Sequence, residues 1–325
     1  MPAADSCRRR CLTSIAADNA SPDTPDNLSQ TRRTIMTAAA TQTERRENED
    51  VVLVPFARAH LQGALKLSQE MSWPYRIEDW DFALQLGHGF VLQRAGVVIG
   101  TAVWWAYGET HASAGMIIVA KAAQGRGYGG RLIDALLAAA HPRTIVLNST
   151  AEGLALYERR GFVTIGAIHQ YQGIPKERHE APAPCLVRAM APSEFEAIAR
   201  LDREATGWVR RLLLHRLVQI GDGHVLLRDG ESRGYAMSRL FGRGHVIGPV
   251  VAESPADARA LIEAALARLG RAFVRIDISA SSQLGEWLDG IGLQQVGDAT
   301  TMVLGTQITS TGPARMFALA NQSFS

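Results

Sequence analysis

The apolar residues of this chain recur at two different spacings, which alternate from about residue 51 onward. Spacings of three and four residues predict helices, whereas alternation at every second residue, or a short apolar run, predicts a strand. In the first half we expect strands at 51–55, 90–93, 97–105, 112–120, 144–148 and 162–169, and helices at 61–71, 77–86, from a glycine-rich turn through 137, and at 151–160. Because an antiparallel hairpin is followed by strands that flank helices, these elements predict an α+β fold with one mixed sheet.

The same order of elements recurs in the second half, which predicts two tandem copies of one fold. Its strands are expected at 186–190, 223–228, 233–240, 245–252, 273–279 and 293–303, and its helices at 192–204, 208–219, 255–269 and 283–290. A Pro-rich polar stretch between the halves predicts a linker. The expected organisation is a tail (1–48), an N-terminal domain (49–172), a linker (173–184), a C-terminal domain (185–306) and a C-terminal tail (307–325).

Composition narrows the class of protein. Hydrophobic residues make up 46% of the chain and charged residues 20%, which is typical of globular proteins. A net charge of +2 provides no broad basic surface for nucleic acid, and no apolar run reaches the length of a membrane span. The cysteines are Cys7, Cys11 and Cys185, too few for a disulfide framework or a zinc site, so a reducing cytoplasm is expected.

The first 48 residues are rich in small and polar residues and show no apolar periodicity, which predicts disorder. Acidic residues among them argue against a transit peptide, and no apolar run follows the early arginines as it would in a signal peptide. Met36 is a second candidate for the start of translation.

A glycine-rich turn, Gln124-Gly125-Arg126-Gly127-Tyr128-Gly129-Gly130, follows an apolar strand and opens a helix. Main-chain N–H groups at a helix start lack intrahelical partners and favour a phosphate, and glycine lets an anion approach closely. A P-loop would need Lys and Ser or Thr after the last glycine, but Arg131 and Leu132 follow. A dinucleotide fingerprint is matched literally, yet the next strand ends in Asn148 instead of an acidic residue for the ribose.

The third pattern, Gln/Arg-x-x-Gly-x-Gly/Ala, is met by Gln124 to Gly129 and resembles the coenzyme A pyrophosphate loop of the GNAT N-acetyltransferases. One helix and one strand further on, Leu154 to Phe162 resembles the second signature of that family, a helix ending in Leu-Tyr-Glu-x-x-Gly-Phe. With both motifs in the family's order, the chain resembles a tandem GNAT protein with a catalytic N-terminal half.

The resemblance implies that acetyl-CoA is the co-substrate. Main-chain groups of Ile117, Ile118 and Val119 would bind its pantetheine arm, and the Val119 N–H would polarise the thioester carbonyl. Tyr157 would protonate the departing thiolate, since an ordinary tyrosine pKa of about 10 lies close to that of a thiol, about 8.5. Where the family usually has Asn, seven residues before this tyrosine, the chain has Thr150; Asn148 lies two positions earlier, and both are candidate pantetheine contacts.

Candidates for the general base are Glu109 and His111, in a turn between two strands, with a chain of water molecules as the alternative. The acceptor would be bound by aromatic residues, for which the candidates are Trp73, Trp80, Trp104 and Trp105. Strand alternation lets only one of the last two face the cleft. Three carboxylates, at 78, 79 and 81, would assist with a cationic amine; the alternative is that these aromatics are core residues beside a solvated helix face.

The second half lacks the glycine-rich turn. Ser254, Pro255 and Asp257 predict a capped helix start whose own side chains satisfy the N–H groups that a phosphate would need. Leu288 stands where the first half has Tyr157. We therefore expect the C-terminal half to be a degenerate copy that does not bind coenzyme A.

These observations predict an acetyl-CoA-dependent N-acetyltransferase that acts by direct attack of a small primary amine on the thioester, without a metal. A protein or peptide amine is an alternative acceptor, and a non-catalytic acyl-CoA sensor is an alternative function. Tyr157 favours catalysis, because binding alone needs no proton donor. No nucleic acid or membrane partner is expected, and both a monomer and a homodimer remain open.

Overall fold

One continuous sheet of thirteen strands runs through the computed structural model, which describes residues 50–176, 186–306 and 310–325. The strands are β1 (Val51–Pro55), β2 (His88–Arg94), β3 (Val97–Tyr107), β4 (His111–Val119), β5 (Thr144–Ser149), β6 (Val163–Gly173), β7 (Leu186–Ala189), β8 (Gly221–Arg228), β9 (Glu231–Phe241), β10 (Gly244–Ala252), β11 (Val274–Ser279), β12 (Gln294–Leu304) and β13 (Arg315–Ala318). Their order in the sheet is β1-β2-β3-β4-β5-β12-β6-β11-β13-β10-β9-β8-β7.

The helices lie on both faces of this sheet. They are α1 (Leu61–Glu70), α2 (Ile77–Leu86), α3 (Tyr128–Ala140), α4 (Leu154–Glu158), α5 (Phe195–Thr206), α6 (Arg211–Ile220), α7 (Pro255–Leu269) and α8 (Gly285–Gly290). The mixed α+β fold and its tandem arrangement, both expected from the sequence, are confirmed. Helices α2 and α7 have the predicted bounds, whereas β6 runs four residues longer than expected because β11 and β12 pair with its second part.

The two halves complete each other's part of the sheet. Strand β12 from the second half pairs antiparallel with both β5 and β6 of the first. Strand β6 in turn pairs antiparallel with β11 of the second half. The halves therefore share their central strands, and residues from Val51 onward form one compact unit.

Strands β4 and β5 form a fork. They pair in parallel only over His111–Ala114 and Thr144–Leu147, and then separate. Just beyond the last pair, Met116 has a left-handed φ of 53°, where the register of β4 against β3 shifts. Such a bulge bends a strand away from its neighbour, and it accompanies the separation of β4 from β5.

The corresponding strands of the second half, β10 and β11, also separate after a short parallel ladder that ends at Ile247 and Ile276. This second fork is filled by the chain itself, because β13 pairs antiparallel with β10 and also with β11. The segment that we expected to be a C-terminal tail thus contains a strand inside the sheet, an arrangement that needs long-range pairing and has no local sequence signal.

Three clusters of buried side chains form the core. One packs α3 against the first half of the sheet and a second packs α7 against the second half. The third lies on the opposite face of the sheet and joins α1 and α2 to α5 and α6, so that it spans both halves. Neighbouring strand residues such as Trp104 and Trp105 belong to different clusters, as the alternation of side chains requires.

Several sequence predictions fall outside the described residues. They concern the tail 1–48 with Met36, the three cysteines, and most of the linker 173–184. Within the part of the chain that the structure describes, no helix has both the length and the apolar character that a membrane crossing requires.

The shared sheet predicts that the first half does not fold alone. A fragment of residues 50–176 leaves β5 and β6 without β12, and β6 runs parallel to β5, so it cannot take the place of β12 without reversing its direction. Unpaired strand edges associate readily. We expect this fragment to aggregate or to self-associate in size-exclusion chromatography, and to form a discrete complex when coexpressed with residues 186–325. A monomeric fragment with a cooperative thermal transition would contradict the prediction.

Candidate active site

A groove of about 960 Å³ opens where β4 and β5 separate. It extends from the loop after α1, past the fork, to the first turn of α3 on one side and to α4 on the other. The residues that line it include Trp73, Ala114, Gly115, Met116, Ile117, Ile118, Val119, Gln124, Gly125, Gly127, Tyr128, Gly129, Asn148, Ser149, Thr150 and Tyr157. The fork thus brings together nearly all residues that the sequence assigned to coenzyme A.

The glycine-rich turn has a backbone that only glycine adopts easily. Gly125 and Gly127 have φ values of 77° and 79°, in the left-handed region. A Cβ atom at either position would meet nothing within 4 Å, so the requirement there is backbone conformation and not space inside the protein. Gly127 occupies the N-cap position of the 13-residue helix α3, and it has no side chain with which to cap the first N–H groups. The turn therefore leaves these groups available to an anion.

The matching helix start in the second half is closed by its own side chains. The Asp257 N–H donates to Ser254 Oγ at 3.1 Å, and Arg228 pairs with the Asp257 carboxylate at 2.8 Å. Pro255 holds the first helical position. This is the capped start that the sequence predicts, with protein partners already in place for the Asp257 N–H and carboxylate.

Among the described residues, no strand pairs with the edge of β4 that faces the groove. The ladder between β4 and β5 ends at Ala114, and within this part of the chain the segment from Gly115 to Val119 pairs with β3 alone. The Val119 carbonyl accepts a hydrogen bond from Gln124 Nε2 at 3.0 Å, which ties the turn to the strand. The main-chain groups of this segment that do not bond to β3 lie along this edge, where an extended ligand can add as a strand does.

Tyr157 lies on α4 at the wall of the groove and is 8% exposed. Its ring contacts Phe162 edge-on, with 5.8 Å between the ring centres. Burial raises the pKa of Tyr157 to about 12, against a smaller opposite effect of Arg160. The hydroxyl is therefore protonated at neutral pH, but its pKa is further from that of a thiol than the sequence alone suggests.

Thr150 and Asn148 both line the groove, but the amide of Asn148 has partners already. Its Nδ2 donates to the Gln322 carbonyl at 2.8 Å, and its Oδ1 accepts from Thr301 Oγ1 at 2.7 Å. Asn148 therefore orders the end of β5 against the second half. Thr150 stands before the turn Ala151–Gly153 that leads into α4.

The structure does not bring Glu109 or His111 to the groove. Glu109 is exposed in the turn before β4. His111 is buried, its Nδ1 lies 2.8 Å from Thr110 Oγ1, and its ring stacks near Trp208 at 6.1 Å. At about 3.3 Å per residue, it stands some 10 Å along β4 from the fork. Both residues stand at the start of β4, whereas the fork and the glycine-rich turn lie toward its other end.

Of the four tryptophans assigned to the acceptor, the structure places one, Trp73, at the groove. Trp80 and Trp105 are core residues whose Nε1 atoms donate to Ser68 Oγ and to the Ala83 carbonyl. Trp104 packs on the opposite face, beside His88 at 5.1 Å. The correction has a simple cause: large aromatic side chains gain most from full burial.

The nearby carboxylates also have other partners. Asp79 is buried, pairs with Arg76 at 2.8 Å and accepts from the Gly242 N–H at 3.0 Å, so it joins the two halves. Glu78 and Asp81 line a separate cavity of about 510 Å³. Across residues 50–176, 186–306 and 310–325, no cluster of three or more His, Cys, Asp or Glu side chains is arranged to hold a metal ion.

Sequence reasoning missed Gly115, which lines the fork itself. A glycine inside an otherwise apolar strand often marks a close approach of another group, and this signal was present. It also missed residues 321–325, which reach the fork from the far end of the chain and have no local signal.

Comparison with known proteins places both halves in one family. A model described as an acetyltransferase (GNAT) domain matches residues 85–164, and a second model of the same description matches residues 198–318. The chain is 29% identical over 236 residues to the uncharacterized N-acetyltransferase YitH of Bacillus subtilis, covering 70% of this chain and 83% of that protein.

Two solved structures share the fold. One, from Pyrococcus horikoshii and provisionally described as an acetyltransferase, has a TM-score of 0.69 at 21% identity and covers 85% of this chain and 96% of its own. The other, a tandem GNAT protein from the clavulanic acid biosynthesis pathway, has a TM-score of 0.57 at 14% identity. The match covers 79% of this chain and 100% of that protein. The chain thus belongs to the GNAT acetyltransferases. It is a tandem member with one copy in each half, and it is an acyltransferase.

The environment of Tyr157 predicts its titration. Because burial raises its pKa to about 12, the hydroxyl should stay protonated up to about pH 10.5. We expect wild type and Tyr157→Phe to show the same tyrosinate absorbance up to that pH in an ultraviolet titration of the native protein. A tyrosinate signal that rises between about pH 8 and 10 in wild type and is missing from the variant would contradict this.

Proposed function

We propose that this protein transfers an acetyl group from acetyl-CoA to a primary amine of a small molecule, in the groove of its N-terminal half. One observation carries the proposal: an open strand edge, an uncapped helix start and a protonated tyrosine line the same groove. Acetyltransferases of this fold use acyl-CoA, and each of these three features matches one chemical part of that molecule.

The glycine-rich turn would hold the pyrophosphate. The N–H groups at the start of α3 point their positive end toward the turn, where the helix dipole favours negative charge. Lys121 lines the same end of the groove and adds a positive charge. The backbone at Gly125 and Gly127 offers no side chain that would keep an anion away.

The open edge of β4 would hold the pantetheine arm. Its amide groups can pair with the main chain of Ile117 to Val119 in the manner of an added strand. Such an arm leads from the turn toward the fork, and Tyr157 lies across the groove from this edge. The residues present therefore fit both the pyrophosphate and the pantetheine arm of acetyl-CoA.

Acetyl-CoA supplies an activated thioester, and the protein supplies position and protons. As the amine nitrogen bonds to the carbonyl carbon and the C–S bond breaks, the Val119 N–H stabilises the negative charge that develops on the carbonyl oxygen. Tyr157 gives its proton to the sulfur and regains one from solvent. The apolar surroundings that raise the pKa of Tyr157 also raise that of a thiol beside it, which narrows the difference between the two.

The proton lost by the amine goes to water in this scheme. His111 lines a neighbouring cavity of about 230 Å³ that shares Asn148 with the groove, so we assign it no direct contact with the amine. Glu109 is further away. The presence of a buried tyrosine at the groove supports catalysis over a sensor function, since a sensor needs the turn and the strand edge only.

Replacing Gly127 with Val tests the pyrophosphate site. Valine at a left-handed φ destabilises the fold by about 1–2 kcal/mol and places a branched side chain where the phosphates would bind. We expect the rise in melting temperature caused by acetyl-CoA in wild type to be lost. Gly230→Val is the matched control, since Gly230 has the same φ of 79° and equally open surroundings in the other half. An unchanged response of the Gly127 variant would place the co-substrate elsewhere.

Replacing Tyr157 with Phe tests the proton donor. Loss of general acid catalysis lowers kcat by about 100-fold or more, while the Kd for acetyl-CoA should change by less than about threefold. Thiol release with an amine found by screening gives the first value, and calorimetry gives the second. Tyr171→Phe, on β6 and away from the groove, is the control. Equal losses in kcat and in affinity would argue for a packing role.

A further inference from the structure

The chain beyond β13 crosses from the second half to the fork of the first. The carbonyl of Gln322 accepts the hydrogen bond from Asn148 described above. Ser323 lies directly against Gly115, because a Cβ atom on that glycine would be 2.8 Å from Ser323 Oγ and 2.9 Å from its Cβ. Gly115 and Asn148 both line the groove, on the two strands that separate there. This segment, Asn321–Ser325, is called the fork segment below.

The fork segment lies on the face of the sheet opposite to α3 and Tyr157. Phe324 packs edge-on against Trp105 at 4.8 Å and Phe82 at 5.7 Å, within the cluster that α1 and α2 cover. Ser323 Oγ is 3.4 Å from the hydroxyl of Tyr75. Tyr75 follows Trp73, which lines the groove on this same face. Trp73 and the fork segment thus lie on the same face of the sheet, opposite to α3 and Tyr157.

Buried hydrogen bonds hold the fork segment in place. Asn321 Oδ1 accepts from the N–H groups of Ser323 and Phe324 at 2.8 and 3.0 Å. The Phe324 carbonyl accepts from the Tyr107 hydroxyl at 2.6 Å. Arg210, fully buried, donates to the Ser325 carbonyl and pairs with Asp202 at 2.6 Å. Tyr107 of the first half and Arg210 of the second thus both bond to the segment and hold it in a fixed position.

We infer that Gln322 and Ser323 determine which acceptor amines fit the active site. They lie directly behind Gly115 and Asn148, which line the groove, and so limit the space that an amine can occupy at the fork. The inference rests on the function proposed above and adds to it. It assigns a role to the degenerate half, which supplies the wall of a site that lies in the other half.

Ser323→Gly tests this role, since it removes the Cβ and the hydroxyl that face Gly115. We expect kcat/KM for bulky primary amines, relative to small ones, to rise by about tenfold, because a pocket discriminates by roughly this factor for a small change in volume. The Kd for acetyl-CoA should stay within about twofold of wild type. The assay is thiol release at saturating acetyl-CoA with a size-graded series of primary amines, from ethylamine to a lysine-containing peptide.

Ser282→Gly is the matched control, because Ser282 is 5% exposed and Ser323 is 6% exposed, and Ser282 lies in a turn of the second half away from the groove. It should leave the amine ranking unchanged. If Ser323→Gly lowers or keeps kcat/KM uniformly for all amines while the enzyme stays active, the segment is only structural and the inference is wrong. Wild type that neither binds acetyl-CoA nor acetylates any amine would instead refute the proposed function, and the inference with it.

Discussion

The placement of β12 between β5 and β6 is the constraint on which the rest of this structure depends. At its far end, β5 is paired only on the side of β12, since Asn148 and Ser149 pair with that strand and not with β4. Strand β4 is held by β3 and bends at Met116. One arm of the fork, β5, is therefore held in the sheet by a strand of the second half, while the other arm, β4, bends away at Met116.

The duplicated fold has two forks, of which one is open and the other is filled by the chain itself. In the first half the fork is open and the adjoining helix starts with uncapped N–H groups. In the second half the chain's own β13 fills the fork, and Ser254 and Asp257 satisfy the helix start. Both features that a coenzyme would use are thus occupied by protein groups. A short strand satisfies the free backbone groups of a fork as a ligand would, which stabilises the copy without a ligand.

The buried pair of Arg210 and Asp202 shows how the second half is connected to the first. A fully buried guanidinium is costly unless its hydrogen bonds are satisfied. Here Asp202 binds it through two oxygens, Tyr235 donates to the same carboxylate at 2.5 Å, and carbonyls of the fork segment accept from Arg210. The pair therefore holds Phe324 and Ser325 beside the first half of the sheet, although both of its members belong to the second half.

The sequence by itself determined the features that depend on near neighbours along the chain. Periodicity placed the helices and every described strand except β13, the glycines of residues 125–130 indicated an uncapped helix start, and Ser254 with Pro255 indicated a capped one. Only the tertiary structure decided which strands pair. The pairing in turn decided that each half completes the other, that β13 fills the second fork, and where the fork segment lies. It also decided that Trp80, Trp104 and Trp105 are core residues and that His111 stands away from the groove. The physical reason is that alternation within a strand shows which of its faces is buried but does not identify the neighbouring strand. Strand pairing depends on contacts between residues far apart in the chain.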